Sequence, residues 1–106
     1  MAAQVLSGSG NVSYTNSTGQ NVRLVINYLK NSSPTYSITV SFQGVSFVLP
    51  SYYTIGKSIP LDRTQGNAIG QPTEIALSNG ATFSAIHDDR SEYIEGYNII
   101  IIPEAG

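Results

Sequence analysis

Cysteine is absent from this chain, and so is tryptophan. The lack of cysteine excludes disulfides, thiolate metal ligands and cysteine nucleophiles together. A chain of 106 residues has the length of one domain, and such a domain buries a core without covalent cross-links. We therefore expect residues 1–106 to form a single domain.

Charge is also scarce, because only 11% of the residues are charged, against roughly a quarter in ordinary globular proteins. Serine, threonine, asparagine, glutamine and glycine supply the polar surface instead, which is typical of β-rich structural and adhesive proteins. The net charge is −2 and the five basic residues are scattered, so we expect no nucleic-acid partner.

The few charges are unevenly distributed along the chain. All seven acidic residues lie in 58–106, whereas three of the five basic residues lie in 1–57. This asymmetry has two interpretations: chance in a charge-poor chain, or complementary surfaces on neighbouring copies. Residues 1–4 lack the features of a signal peptide, and no apolar run is long enough to span a membrane. We expect synthesis in a cytoplasm and no membrane partner.

The clearest pattern is the alternation of apolar and polar residues in 22–29 and again in 36–42. A period of two predicts half-buried strands. The four residues Asn31-Ser32-Ser33-Pro34 between them predict a hairpin. In the second strand we expect one face to be buried, namely Tyr36, Ile38, Val40 and Phe42. The other face should be less buried, namely Ser37, Thr39 and Ser41.

Turn signals divide the remainder of the chain into short segments. Gln43-Gly44 predicts a turn or bulge, and Asn79-Gly80 predicts a hairpin that joins 73–77 to 82–86. Residues 62–72 have the composition of a long loop. Seven or eight short strands without helical periodicity indicate an all-β domain, an antiparallel β-sandwich or jelly roll.

His87-Asp88-Asp89 is the one histidine in a carboxylate setting. It matches either a metal site or an exposed turn, and we expect an exposed turn without an ion. No nucleophile elbow or paired-carboxylate pattern is present, so we expect no catalytic residue, no cofactor and no enzymatic activity.

Two stretches are candidates for an interface. Ile99, Ile100, Ile101 and Ile102 leave a strand with no polar face, so either a loop or a second chain must cover it. Tyr52 and Tyr53 lie in an irregular segment, where tyrosines contact sugars or a partner protein, or simply pack against their own domain.

Three stretches carry a resemblance to known proteins: 11–16 running into 18–23, then 77–85, and 97–104. With them the chain resembles the small virion structural proteins of tailed bacteriophages, namely capsid decoration (cement) proteins and the β-rich ends of tail fibres. The resemblance implies a trimeric, non-enzymatic subunit located in the virion, with a capsid protein as partner and no cofactor. It assigns no site residue. The alternative is a carbohydrate-binding module or small lectin, whose partners would be surface glycans.

Overall fold

The structure, a computed structural model, describes residues 2–56, 67–69 and 73–104. These residues form ten strands, one short 3₁₀ helix at Ser91–Tyr93 and no α-helix. The strands are β1 (Gln4–Gly8), β2 (Val12–Thr15), β3 (Val22–Asn31), β4 (Ile38–Phe42), β5 (Val45–Leu49), β6 (Tyr53–Gly56), β7 (Asn67–Ile69), β8 (Thr73–Leu77), β9 (Thr82–His87) and β10 (Ile94–Pro103). The prediction of an all-β domain is confirmed. No helix in these ranges is long and apolar enough to cross a membrane.

The strands form two sheets. The four-stranded sheet has the order β2-β9-β4-β5, and all its pairs are antiparallel. In the six-stranded sheet β10 lies between β1 and β3, and the far side of β3 is shared by β8 and β6. β7 extends this sheet by pairing parallel to β6. Ten strands exceed the seven or eight expected, and one of the additional strands, β7, lies within the predicted loop at 62–72, whose other residues are outside the described ranges.

The core lies between the sheets and is built from alternate residues of facing strands. Val22, Leu24 and Ile26 of β3 are fully buried, as are Ile38 and Val40 of β4. Burying one such aliphatic side chain contributes roughly 1.5–3 kcal/mol. The alternation in both segments therefore identifies which face of each strand is internal.

The predicted hairpin between β3 and β4 is wrong. β3 pairs with strands of the six-stranded sheet, and β4 pairs with β5 and β9 in the other sheet, so residues 32–37 cross between sheets. Because β4 begins only at Ile38, Tyr36 precedes it and is 48% exposed, contrary to the expected burial. Ile38 and Val40 are buried as expected, whereas Phe42 is only partly buried, like Ser37, Thr39 and Ser41.

Asn31 explains why the chain crosses at this point. Its side chain is fully buried, and Nδ2 donates to the carbonyl oxygens of Tyr36, Leu49 and Pro50 at 2.9, 3.2 and 3.0 Å. Its Oδ1 accepts the Ser33 amide at 2.9 Å. A buried side-chain amide must be partnered, and the backbone that satisfies this one belongs to the crossing segments.

Asn16 has the same role at the other end of β3. It is fully buried, and its Nδ2 donates to the carbonyl oxygens of Gln20 and Leu77 at 2.8 and 3.1 Å. Its Oδ1 accepts the amide and the hydroxyl of Thr18. Asn16-Ser17-Thr18 and Asn31-Ser32-Ser33 are thus internal turns, in which the asparagine bonds backbone two residues further along.

The turns predicted at Gln43-Gly44 and Asn79-Gly80 differ, because only the first of them joins its two strands as a hairpin. Gln43 and Gly44 both have positive φ, 49° and 79°, which is the primed turn that joins β4 to β5 as a tight hairpin. At Asn79-Gly80 only Gly80 has positive φ, 89°, and Ala81 donates to the Ser78 carbonyl. That turn splays the strands on either side of it, and β8 and β9 enter different sheets. The predicted hairpin is therefore wrong.

A bulge in β3 changes which side chains point inward. Tyr28 lies opposite Asn98 and Ile26 opposite Ile99, so Asn27 is the extra residue. The glycine at position 56 packs on this bulge, because an added Cβ would lie 1.9 Å from the Asn27 carbonyl oxygen.

Candidate interaction surface

The isoleucine run of β10 is divided between two faces of the six-stranded sheet. Ile99 and Ile101 point into the core and are 0% and 2% exposed. Ile100 and Ile102 point to the outer face and are partly exposed. Of these four candidate interface residues, only Ile100 and Ile102 are therefore accessible to a partner.

The strand register extends this apolar surface to the neighbouring strands. Val5 of β1 lies opposite Ile100, and Ile100 lies opposite Val25 of β3. Residues opposite each other in a sheet share a face, so the three form one cross-strand row. Val5 is 64% exposed, the highest value among the large hydrophobic residues whose exposure the structure describes. We call Val5, Val25, Ile100 and Ile102 the aliphatic strip.

Polar and charged side chains border the aliphatic strip. Arg23 lies opposite Ile102 and forms an ion pair with Glu74 of β8, with Nε and Oε1 3.2 Å apart. Beyond Ile100, Asn98 and Tyr28 continue the outer face. An apolar centre with a polar rim is the composition of a protein interface.

Two ion pairs among the described residues also bear on the uneven charge distribution. Arg23 pairs with Glu74, and Lys30 pairs with Glu95 across a Nζ–Oε1 distance of 3.4 Å. Each pair joins a base of the first half to an acid of the second half within one chain. Complementary surfaces on a second copy are therefore not needed to explain these four charges.

Tyr28 lies beside the second ion pair. Its ring packs over Gly96, where an added Cβ would be 3.3 Å from Cε2. Burial raises the pKa of its phenol above the ordinary value of 10.0; Lys30 opposes this rise and Glu95 adds to it. The hydroxyl therefore stays neutral to higher pH than it does in an unfolded chain.

Val5 and Val25 are not among the interface residues predicted from the sequence. A signal was available for Val25, which is an apolar residue between Arg23 and Asn27 on the polar side of an alternating strand. The sequence around Val5 contains a weaker signal, because only the pairing of Val5 with Ile100 shows that it continues the row.

Tyr52 and Tyr53 have different environments. Tyr53 belongs to β6 and packs against the core, so most of its ring contacts its own domain. Tyr52 is partly buried in a turn closed by a bond from the Tyr53 amide to the Pro50 carbonyl, and its φ is 63°. Positive φ is rare for a bulky residue and tends to mark a constrained turn.

Tyr36 lies at the same end of the domain as this turn. The carbonyl oxygens of Tyr36 and Pro50 accept hydrogen bonds from the same Asn31 amide group. The loops that carry Tyr36 and Tyr52 are therefore adjacent. Because residue 36 was predicted to lie in a strand, its position in an exposed loop beside this turn was not predicted.

His87 is buried, so the expectation that it would lie in an exposed turn is wrong. It is the last residue of β9 and follows Phe83 and Ala85 on the inner face of that strand. Its Nδ1 accepts the backbone amides of Asp89 and Arg90, both at 3.0 Å. The ring therefore holds the loop after β9 in place.

The environment of the His87 ring is otherwise apolar. The ring centre is 5.1 Å from that of Tyr93, and Nε2 is buried without a hydrogen-bond partner in the described part of the chain. Asp88 and Asp89 are exposed as expected, and Asp88 Oδ1 accepts the Thr39 hydroxyl at 2.8 Å. In the described ranges, no three His, Asp or Glu side chains are placed to hold a metal ion.

The outer face of the four-stranded sheet has a different character. Its register places Ser13, Ser84, Ser41 and Ser46 in one row across all four strands. A neighbouring row contains Ile86, Thr39 and Val48. Hydroxyl groups dominate this face, and its exposed aliphatic residues are separated by Thr39.

Searches of protein-family models, curated proteins and solved structures found no match to the chain. Its function is therefore inferred from its own residues.

Proposed function

We propose that this chain is a non-enzymatic structural protein of a tailed-phage virion. It acts as a homo-oligomer in the role of a capsid decoration (cement) protein or a fibre component. The aliphatic strip carries this proposal, because it is an apolar surface on the outer face of a sheet whose inner face already forms the core. The resemblance to small virion proteins supplies the location in the particle and the trimer as the expected stoichiometry.

Leaving Ile100 and Ile102 in contact with water is unfavourable, and this free-energy cost favours assembly. In an antiparallel sandwich the outer sheet face normally meets water with polar residues. Here two isoleucines and two valines occupy adjacent positions on that face. Interfaces between permanently associated subunits are apolar at the centre, and the strip with its polar rim has that arrangement.

A binding experiment with particles tests the structural role. Assembled capsids and fibres that lack the chain would be mixed with the purified protein and sedimented. We expect the wild type to sediment with one of these particles. Ile100→Asp should remain in the supernatant, because it places a charge at the centre of the strip.

Ile86→Asp is the matched control, since it changes an exposed isoleucine on the other sheet. It should sediment like the wild type. A wild type that sediments with neither capsids nor fibres would contradict the virion role.

A carbohydrate-binding module is the second candidate. It is favoured by one observation: the adjacent loops that carry Tyr36 and Tyr52, of which Tyr36 is 48% exposed. Aromatic rings with a polar tip suit contacts to sugar rings. A glycan array would test this, and selective binding to one glycan that Tyr36→Ala abolishes would favour this candidate over the virion role.

A further inference from the structure

β1 forms an edge of the six-stranded sheet. In the described part of the chain its one partner strand is β10. Natural edge strands are usually protected by charged residues, proline or a bulge. β1 has none of these: the first charged residue of the sequence is Arg23, the first proline is Pro34, and the register from Gln4 to Gly8 is unbroken. The edge is regular, uncharged and able to accept another strand.

Another chain can supply a further strand for this edge, because the side of β1 away from β10 pairs with no strand in the described part of the chain.

The side chains indicate which chain that is. The row Val25–Ile100–Val5 becomes more exposed toward the edge and ends at Val5. We propose that a second copy of this protein pairs its own β1 antiparallel to this edge, with Val5 opposite Val5 about a two-fold axis. The row then continues through six aliphatic side chains, three from each copy, and the most exposed valine is covered.

Register supports this arrangement. Residues opposite each other in an antiparallel pair point to the same face, so Val5 can oppose Ala3, Val5 or Ser7 but not Gln4 or Leu6. Opposing Val5 to Val5 sets Ala3 against Ser7, which are both small. It keeps Leu6 on the inner side of the sheet, where it packs against the core.

The charge distribution favours a second copy over a foreign strand. A two-fold pair sets β1 against an identical copy of itself, so a net charge on this strand would meet the same net charge. Residues 2–22 contain no charged side chain, which removes this repulsion along the whole contact. A charged segment of another protein would find no complementary group on this edge.

This inference rests on the self-association proposed above and adds the strand through which two copies join. The two-fold contact links copies in pairs and uses the sheet edge. It leaves the side chains of Ile100 and Ile102, on the outer face of the sheet, available for other contacts in the assembly.

Cysteine cross-linking tests the pairing in a chain that has no cysteine of its own. Val5→Cys would place two thiols opposite each other, at the Cβ separation of about 4.5–5.5 Å typical of sheet neighbours, from which a disulfide needs little adjustment. Val48→Cys is the control, because Val48 lies on the edge strand β5 and is similarly exposed, at 57%.

We expect Val5→Cys to form disulfide-linked dimers under mild oxidation at least about tenfold faster than Val48→Cys, since paired thiols react at a raised effective concentration. Equal rates would overturn the proposal. The register is tested by mixing Ala3→Cys with Ser7→Cys, which should give the mixed dimer. Preferential linkage of Val5→Cys to Ser7→Cys would overturn the Val5–Val5 register.

Light scattering on the wild type separates this inference from the proposed function. An oligomeric wild type whose Val5→Cys variant cross-links no faster than the control would overturn the β1 pairing and leave self-association standing. A monomeric wild type would overturn both.

Discussion

The side-chain amide of Asn31 donates a hydrogen bond to the backbone carbonyl of Leu49 at 3.2 Å and thereby connects the two sheets. Asn31 ends β3 in the six-stranded sheet, and Leu49 ends β5 in the four-stranded sheet. Both residues are buried, so the bond is shielded from water. The same amide group holds the Tyr36 and Pro50 carbonyls, which makes Asn31 the point where two crossing segments are fixed together.

Asn31→Ala should destabilise the domain by about 2–4 kcal/mol, because several buried or partly buried backbone groups lose their partner. Urea denaturation measures the change. Asn27→Ala is the control in the same strand, since Asn27 is exposed and its one side-chain bond, to Asn98, is 3.5 Å long. Equal losses for the two variants would contradict the role given to Asn31.

Gly56→Ala should cost about 3 kcal/mol or more, because the new methyl group meets the Asn27 carbonyl oxygen and φ at this position is +83°. Gly19→Ala has almost the same φ, +88°, but its methyl group would enter open space. It should cost only about 1 kcal/mol, the conformational part of the effect. Thermal melting of both variants gives the difference, and a difference near zero would show that the bulge does not need glycine.

The local pattern of the sequence predicts most of the strands, but it does not predict which strands pair with each other. The alternation in β3 and β4 marks Leu24, Ile26, Ile38 and Val40 as internal, and all four are buried. Which strand lies beside which depends on Asn31, whose hydrogen-bond partners Leu49 and Pro50 are far along the chain. A four-residue polar segment does not show whether its asparagine will be exposed in a turn or buried between sheets.

The loop after β9 depends on His87 accepting two backbone amides. We therefore expect the amide hydrogens of Asp89 and Arg90 to exchange slowly with solvent, although both residues are exposed. In His87→Ala these two amides should exchange faster. The amide of Asp88 is the internal control, because it bonds the Ser37 carbonyl and should be unchanged. Fast exchange at Asp89 and Arg90 in the wild type would contradict the geometry.

Ionisation of Tyr28 should lower the free energy of unfolding in alkaline solution. Burial raises its pKa in the folded state, so the unfolded chain releases the phenolic proton first. The stabilising contribution is complete below the ordinary pKa of 10.0 and is lost as the pH rises through the folded-state value. The melting temperature of the wild type should fall more than that of Tyr28→Phe between about pH 8 and about pH 11. An equal fall in both proteins would contradict this assignment.

The candidate surface was only partly predictable for a similar reason. Four consecutive isoleucines indicate a strand that lacks a polar face, and this property identifies Ile100 and Ile102 once the register is known. Val5 and Val25 join them through pairings across β1, β10 and β3, which no local window contains. The prediction of an exposed His87 was wrong because the two aspartates after it are typical of a polar turn, whereas His87 continues the inner face of β9.

Ile101→Asp and Ile100→Asp separate the core from the surface within one strand. Ile101 is 2% exposed, so its replacement buries an unpaired carboxylate at a cost of several kcal/mol, which is comparable to the whole stability of a small domain. Circular dichroism should show Ile101→Asp unfolded and Ile100→Asp folded. A folded Ile101→Asp would contradict the placement of the core.

The mass of the wild type in solution, compared with that of Ile100→Asp, tests assembly through the aliphatic strip most directly. Light scattering at micromolar concentration should give the wild type a multiple of the 11.3 kDa chain mass. Ile100→Asp should remain folded and have a lower mass than the wild type, while Ile86→Asp should match the wild type. A wild type with the mass of a single chain would contradict the account.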